Sequence, residues 1–529
     1  MPASPLDPTP AVSPSATPQP APQPRVFCVH GADPEVQAYA MAKYSRSALS
    51  MKETLAELNE QKAEKFLNTF YFQYGHRSIA DLAHLSMAIE KLSLLAATVV
   101  VDEQRWDGQE RSTRYQDFKK SGYYVPEFGD AALEALYRET IDFLFTEYRE
   151  ISEAMFHHLA AQVARPEEMK QDAYERTLRA RAFDISRYLL PLATNTSLGQ
   201  IVNARTLETQ VARLLSHTHA EVRQLGQLIK DAARGPAYNV NHEAYRALVE
   251  SIRSQDEKLA EQARALLLRD VASSPTLVKY AEPSAYEIAT RRELTQAASE
   301  LMKDEAIALA PEVDLLDEDP LEIELAATLL YERSHYPYRQ LREAIRSLSE
   351  ERRNEIIDLG LRHRGKHDEL LRAFCAGQRF RFDILMDIGG YRDMHRHRRC
   401  TQIAQGYCFQ HLYDTPREIV EAGLAPRYDA LMKRAGDSGH KLATQLRAAG
   451  KEVESFQYLI PLAYRKRALF KMDLAEVVYI SELRTTPAGH YSYRNVSWKM
   501  YEAVAQRHPS LARYFRVTDV REPVDLLRR

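Results

Sequence analysis

The sequence predicts a helix-rich α+β fold made of two tandem copies of one domain, and three internal echoes predict it. Asp33-Pro34-Glu35 opens a helix-like run after a short apolar stretch, and Asp319-Pro320-Leu321 does the same 286 positions on. Tyr188-Leu189-Leu190-Pro191-Leu192-Ala193 returns as Tyr458-Leu459-Ile460-Pro461-Leu462-Ala463, 270 positions on, with five of six residues identical. His219-Ala220-Glu221-Val222-Arg223 is matched by His490-Tyr491-Ser492-Tyr493-Arg494. Three echoes in one order specify a repeat of roughly 220 residues, and two copies are too few for a solenoid. The chain therefore reads as a fused dimer.

Length and composition bound the rest. A chain of 529 residues with 45% apolar content fills two or three cores. Its 71 basic and 74 acidic side chains leave a net charge of −3, so no global field draws it to nucleic acid or an anionic membrane. Any anion site must be local. No apolar run is long enough for a membrane span and no signal peptide is visible, so the cytoplasm is expected. Four cysteines (Cys28, Cys375, Cys400, Cys408) make no disulfide framework, and none shows C-x-x-C spacing. Buried or incidental thiols are the expectation, although Cys400 and Cys408 flank one segment.

Taken in order, residues 1–24 are crowded with proline, a composition that cannot bury a core, and read as a disordered tail. The first domain is expected over 25–245, a helical connector over 246–310, and the second domain over 311–529. In the first, the stretch 26–29 (VFCV) reads as a strand, and a helix runs from the Asp33-Pro34-Glu35 start to about Tyr44. Gly75-His76-Arg77-Ser78 then leads into an amphipathic helix from Ile79 to Leu95, and Asp130 to Gln162 is a long helix. The connector carries apolar residues at three- and four-residue spacing between charges. In the second copy the stretch 313–316 (VDLL) is a strand, a helix follows through Tyr331, and Glu418 to Ala448 is a long helix. Few strands are expected anywhere.

Two stretches carry chemistry. Arg392, His395, Arg396, His397, Arg398 and Arg399 crowd into eight positions, and guanidinium forks beside imidazoles suit an anionic ligand. Taken alone, such a run is a solvated face or a phosphate- or RNA-binding patch. Gln109-Glu110-Arg111-Ser112-Thr113-Arg114-Tyr115 offers the complementary set, Arg and Ser for phosphate and Glu or Gln for sugar and base edges. Taken alone, it reads as an ordinary charged loop. His76 and Ser78 stand at a helix start, where backbone N–H groups favour anions, or form a Ser cap beside a solvent histidine. Asp81 and His84 fall along the same helix. Arg205, in Asn203-Ala204-Arg205 within a helix-like apolar run, needs an anionic partner if buried, a ligand or an acid such as Glu208.

The order GHxS, Arg-His-Arg and S-x-R-Y, LP followed by NAR, then Glu-hydrophobe-Arg resembles the flavin-dependent thymidylate synthases. That family's signature is RHR, seven residues, Ser, then Arg and Tyr, and here it is divided. The first copy has Ser112-Thr113-Arg114-Tyr115, Asn203-Ala204-Arg205 and Glu221-Val222-Arg223, but Asp102-Glu103-Gln104 where RHR should stand. The second has Arg396-His397-Arg398, but Gly406 where Ser should fall, Asp473-Leu474-Ala475 for NAR, and only Gly365-Lys366-His367-Asp368 near the place of GHxS.

The resemblance implies an enzyme that uses FAD, reduced by NADPH, to move the one-carbon unit of methylenetetrahydrofolate onto dUMP at sites between units. Carried over by position, Glu110, Ser112, Arg114, Tyr115, Arg205 and Arg223 hold dUMP, with Arg223 polarising the uracil. His76, Ser78, Arg396, His397 and Arg398 line the flavin, with His76 and Arg223 as the catalytic pair. Asp102 and Glu103 would repel an anionic cofactor from the first copy's own flavin position, so one unit would serve the nucleotide and the other the flavin. A homodimer of fused chains then mimics the family's tetramer, with no metal, membrane or nucleic acid. The alternatives are a flavin enzyme for another pyrimidine nucleotide, and a non-catalytic homologue binding nucleotide or RNA.

Overall fold

The computed structural model describes residues 31–43, 51–56, 77–118, 121–317, 319–365, 371–374, 379–512 and 515–527. Each half builds one antiparallel sheet. In the first, β1 (His84–Ser93), β2 (Asp107–Glu110) and β3 (Asn195–Asn203) lie in the order β1-β3-β2. In the second, β4 (Val313–Leu315), β5 (Phe380–Asp387), β6 (Thr401–Ala404) and β7 (Arg465–Met472) lie in the order β4-β5-β7-β6. Apart from the extra edge strand the two sheets share one topology. The 270-residue offset carries β3 onto β7, and Asn203 at the end of β3 and Asp473 just past β7 each cap the next helix. Asn203 accepts from the Thr206 N–H, and Asp473 from the Glu476 N–H.

The echoed apolar motif is where the halves join. The Leu192 and Ala193 amides donate to the carbonyls of Ile460 and Tyr458, and the Leu462 and Ala463 amides donate to those of Leu190 and Tyr188. That reciprocity is a local two-fold. Pro191 and Pro461 face each other at its centre, where neither needs an N–H to pair. Leu189, Leu190, Leu192, Leu459, Ile460 and Leu462 are fully buried there, so the interface is one continuous core. The long helices Ala131–Gln162 and Ala425–Ala448 pack across it, with Arg434 over the Phe143 ring at 3.9 Å.

A second reciprocal feature locks the ends of β1 and β5. Ser93 donates its backbone N–H and its hydroxyl to Glu221 at 2.8 and 2.7 Å, and Tyr458 donates to the same carboxylate at 2.9 Å. In the second copy the roles exchange: the acid, Asp387, sits on the strand and the hydroxyl, Ser492, on the helix. A buried carboxylate is tolerated only when it is hydrogen-bonded, and the pair is satisfied in either order. Of the connector, Ser274, Thr276 and Leu277 bond Glu35 of the first helix, while Tyr286 bonds the Gly360 carbonyl of the second half.

Three sequence expectations fail. Ile79 to Leu95 is no helix: a 3-10 turn, Arg77–Leu82, leads into β1, and a helix begins only at Leu94. Leu85, Ile89 and Leu92 are buried at helix-like spacing because a bulge at Lys91, with φ 60°, shifts the strand's phase by one residue. Glu418 to Ala448 breaks into Arg417–Glu421 and Ala425–Ala448 around Gly423, whose φ of 71° ends the first helix. Strands are also more numerous than expected, seven among the described residues. The helix Pro34–Lys43, the strand at Val313, the helix to Tyr331 and the Asp130-capped helix form as expected. The stretch 26–29, residue His76, residues 366–368 and the cysteines at 28 and 375 lie outside the described residues.

Candidate functional site

Across the two-fold, the arginine-rich segment of the second copy meets β2 of the first. Asp387 caps the helix Ile388–Met394 and so aims the chain that follows at the other half. Arg392 donates to Glu110 and, at 3.5 Å, to the Thr113 hydroxyl. Arg396 donates to Gln109 at 2.6 Å, and Arg398 pairs with Asp107 at 3.4 Å and lies over the Trp106 ring at 4.9 Å. Gly108 makes this contact surface possible, since a Cβ there would fall 2.3 Å from the Gly199 carbonyl and 2.5 Å from Trp106. The arginine-rich segment of the second copy therefore touches β2 and Thr113 of the first within one chain.

Behind this contact lies a buried charge cluster. Arg114, 8% exposed, gives its Nε to Asp184 at 3.1 Å, Nη1 to the Tyr493 hydroxyl at 2.8 Å and Nη2 to the Ala488 carbonyl at 3.0 Å. Asp184 also faces His490 Nδ1 at 3.1 Å and Arg187 Nε at 3.4 Å, and Arg187 reaches Asp393 at 3.6 Å. Burial alone would raise the Asp184 carboxyl, but His490, Arg187 and Arg114 hold it well below the ordinary carboxylate range. Arg392 Nε and Arg187 Nη2 are buried with no acceptor among the described residues. Buried guanidinium donors without acceptors are costly.

Each expected site residue can now be located. Ser112 is half-buried and accepts from the Arg114 N–H at 3.2 Å; Tyr115 is 46% exposed beside Arg114. His397 points inward: Arg484 Nε donates to its Nε2 at 2.7 Å, which assigns the proton to Nδ1, 3.6 Å from Glu476. The Ser78 backbone lies in the 3-10 turn. Arg205 and Arg223 are bonded elsewhere, Arg205 to Asp81 at 3.3 Å and Arg223 to the carbonyls of His217 and Thr218. Arg205 is not buried in a helix interior but half-exposed at a strand-to-helix junction. The Glu-hydrophobe-Arg echo that meets the Ser112–Tyr115 loop is the second copy's, through His490 and Tyr493. Asp102 and Glu103 carry no unmatched charge, since Arg372 pairs with the first at 2.5 Å and Arg213 with the second at 2.7 Å. The cavity they share with His395, Arg398 and Gln402 is about 20 Å³, room for one water.

Sequence reasoning missed Arg187 and Asp184. The signal was available at the 270-residue offset, where Arg187 faces Gln457 and Asp184 faces Glu454. A buried arginine in front of an apolar motif, replaced by an amide in the other copy, marks a role that one copy alone keeps.

The family model described as thymidylate synthase complementing protein matches residues 28–237 and 313–510, one segment in each half. The chain belongs to the flavin-dependent thymidylate synthase family and carries its domain twice, with the signature divided between the copies. It is 27% identical to a UPF0159 protein of Chlamydia pneumoniae over 93% of this chain and 92% of that one. With a UPF0159 protein of Chlamydia muridarum it shares 28% over 94% and 92%. A flavin-dependent thymidylate synthase of Clostridium tetani is 26% identical over 33% of this chain and 67% of its own length. Among solved structures, thymidylate synthase X of Helicobacter pylori with FAD and dUMP is 16% identical, covering 39% of this chain and 91% of that one at a TM-score of 0.24. Among the described residues no helix is long and apolar enough to cross a membrane.

Proposed function

We propose that the chain transfers a one-carbon unit from methylenetetrahydrofolate to dUMP, giving dTMP, at a composite site between its two copies. What carries this reading is the contact of Arg392 and Arg396 with Glu110 and Gln109, which brings the arginine-rich segment of one copy against the strand that leads into the Ser112–Tyr115 loop of the other. The unsatisfied donors of Arg392 and Arg187 fit a nucleotide phosphate beside the Ser112 hydroxyl. Arg396 is exposed and donates to the neutral Gln109 amide, so its charge suits the pyrophosphate of FAD, with Arg398 alongside. FAD, reduced by NADPH, supplies the reducing equivalents that convert the transferred carbon to a methyl group. The gap at Asp102 has room for about one water, so a flavin at Arg396 would lie on the open face, where the second chain of a homodimer would cover it.

Arg114 is a positioning residue in this scheme: Asp184 fixes it, and it fixes Tyr493 and the loop that carries Ser112 and Thr113. His397, held neutral by burial and oriented by Glu476 and Arg484, shapes the turn that presents Arg396 and Arg398. The exchange of Arg392's charge with Glu110 favours a second reading, a nucleotide-binding homologue without turnover. The test is tritium release from 5-labelled dUMP by FAD-loaded protein, together with rescue of a thymidine-requiring strain. Arg396→Ala and Ser112→Ala, one change in each copy, should each lower both at least tenfold. Wild-type protein that binds dUMP but releases no tritium selects the second reading, and protein that binds neither dUMP nor FAD overturns both.

A further inference from the structure

We infer that His335, Cys408 and His411 form a zinc site in the second copy, on the loop where that copy has lost its own nucleotide-binding serine. The donor atoms of these three side chains lie within 4.8 Å of one another. Tetrahedral zinc with bonds near 2.0–2.3 Å places its donors about 3.5 Å apart, so small side-chain rotations close the set. Two imidazoles and a thiolate suit zinc and leave its fourth position open. The inference does not rest on the nucleotide reading, because none of the three residues belongs to the family signature.

Two further observations point to a ligand. His335 Nδ1 and His411 Nε2 are both buried without any hydrogen-bond partner among the described residues, and His411 is only 7% exposed. An unpaired ring nitrogen in an interior is costly, and the two rings and the thiol lie close enough for one ion to serve all three. The Cys408 sulfur also accepts from the backbone N–H groups of Gln410 and His411, an arrangement that stabilises a thiolate. Gln405, whose Nε2 bonds the carbonyl of Tyr336 next to His335, keeps its buried amide oxygen without a donor among the described residues.

Zinc binds neutral imidazoles and a thiolate; Arg467 and Arg465 stand near His411, and Lys466 near His335. Binding forms two Zn–N bonds and one Zn–S bond and releases the thiol proton to solvent. The sequence signal is Cys408-x-x-His411, with His335 far upstream.

The test uses the full chain, stripped with chelator and titrated with Zn(II) or Co(II). Expected are one zinc retained per chain, about one proton released per zinc, and a thiolate-to-cobalt charge-transfer band. Cys408→Ser should abolish the band and weaken zinc binding at least tenfold. Cys400→Ser should change neither, because that thiol bonds the His397 carbonyl and is not one of the three clustered side chains. If Cys408→Ser does not fold, the wild type decides: bound zinc should slow maleimide labelling of Cys408 at least tenfold, read by peptide mass spectrometry. Failure of wild-type protein to retain zinc, a band that survives Cys408→Ser, or a labelling rate unchanged by zinc overturns the inference.

Discussion

Replacing Asp184 with Asn should loosen the whole junction between the copies. Its carboxylate, 5% exposed, lies 3.1 Å from Arg114 Nε, 3.4 Å from Arg187 Nε and 3.1 Å from His490 Nδ1. Removing the charge leaves two buried guanidiniums, of which Arg187 keeps Asp393 at 3.6 Å. Breaking a buried pair by deleting one partner costs about 3–5 kcal/mol. For units of this size each kcal/mol moves the melting temperature by about 2–4 °C, so thermal unfolding at pH 7 should drop by about 6–20 °C. The folded carboxyl is depressed, so its contribution is complete above the unfolded value of about 4 and is lost as pH falls through the folded value. The gap between wild type and variant should therefore narrow below about pH 4. Adding Arg114→Met removes one orphaned charge and should recover part of the loss. An Asp184→Asn variant melting within about 2–4 °C of wild type at pH 7, the equivalent of 1 kcal/mol, would refute the reasoning.

Three more outcomes are open to measurement. Exchanging the first copy's lock for the second's, Ser93→Asp with Glu221→Ser, should cost less than the two single changes together, with a coupling of about 0.5–3 kcal/mol in urea unfolding; strict additivity would contradict the reciprocal arrangement. Gly108→Ala should destabilise by about 1–3 kcal/mol and weaken nucleotide binding, read by calorimetric titration with dUMP, since β2 cannot keep its approach to Gly199 and Trp106. Burial and the nearby Asp387 push Asp414 up to about 6. The folded chain then keeps a proton between about pH 4 and 6 that the unfolded chain has lost, so stability falls with rising pH in that window. Asp414→Asn should flatten the slope across a denaturation series at pH 4 to 7.

The sequence by itself determined the duplication and its register. Tyr188–Ala193 and Tyr458–Ala463 recur at one offset because each fills the same place in a repeated packing scheme, and repetition is visible without a fold. It also carried the divided signature, since residue types at fixed spacing survive in the string. Only the tertiary structure decided that residues 84–93 form a strand, because a bulge at Lys91 gives a strand the burial spacing of a helix. The same holds for Arg114, spoken for by Asp184 and Tyr493, and for the facing of Arg392 on Glu110. Those contacts join residues tens to hundreds of positions apart across a two-fold, and no local pattern encodes which surfaces such packing brings together.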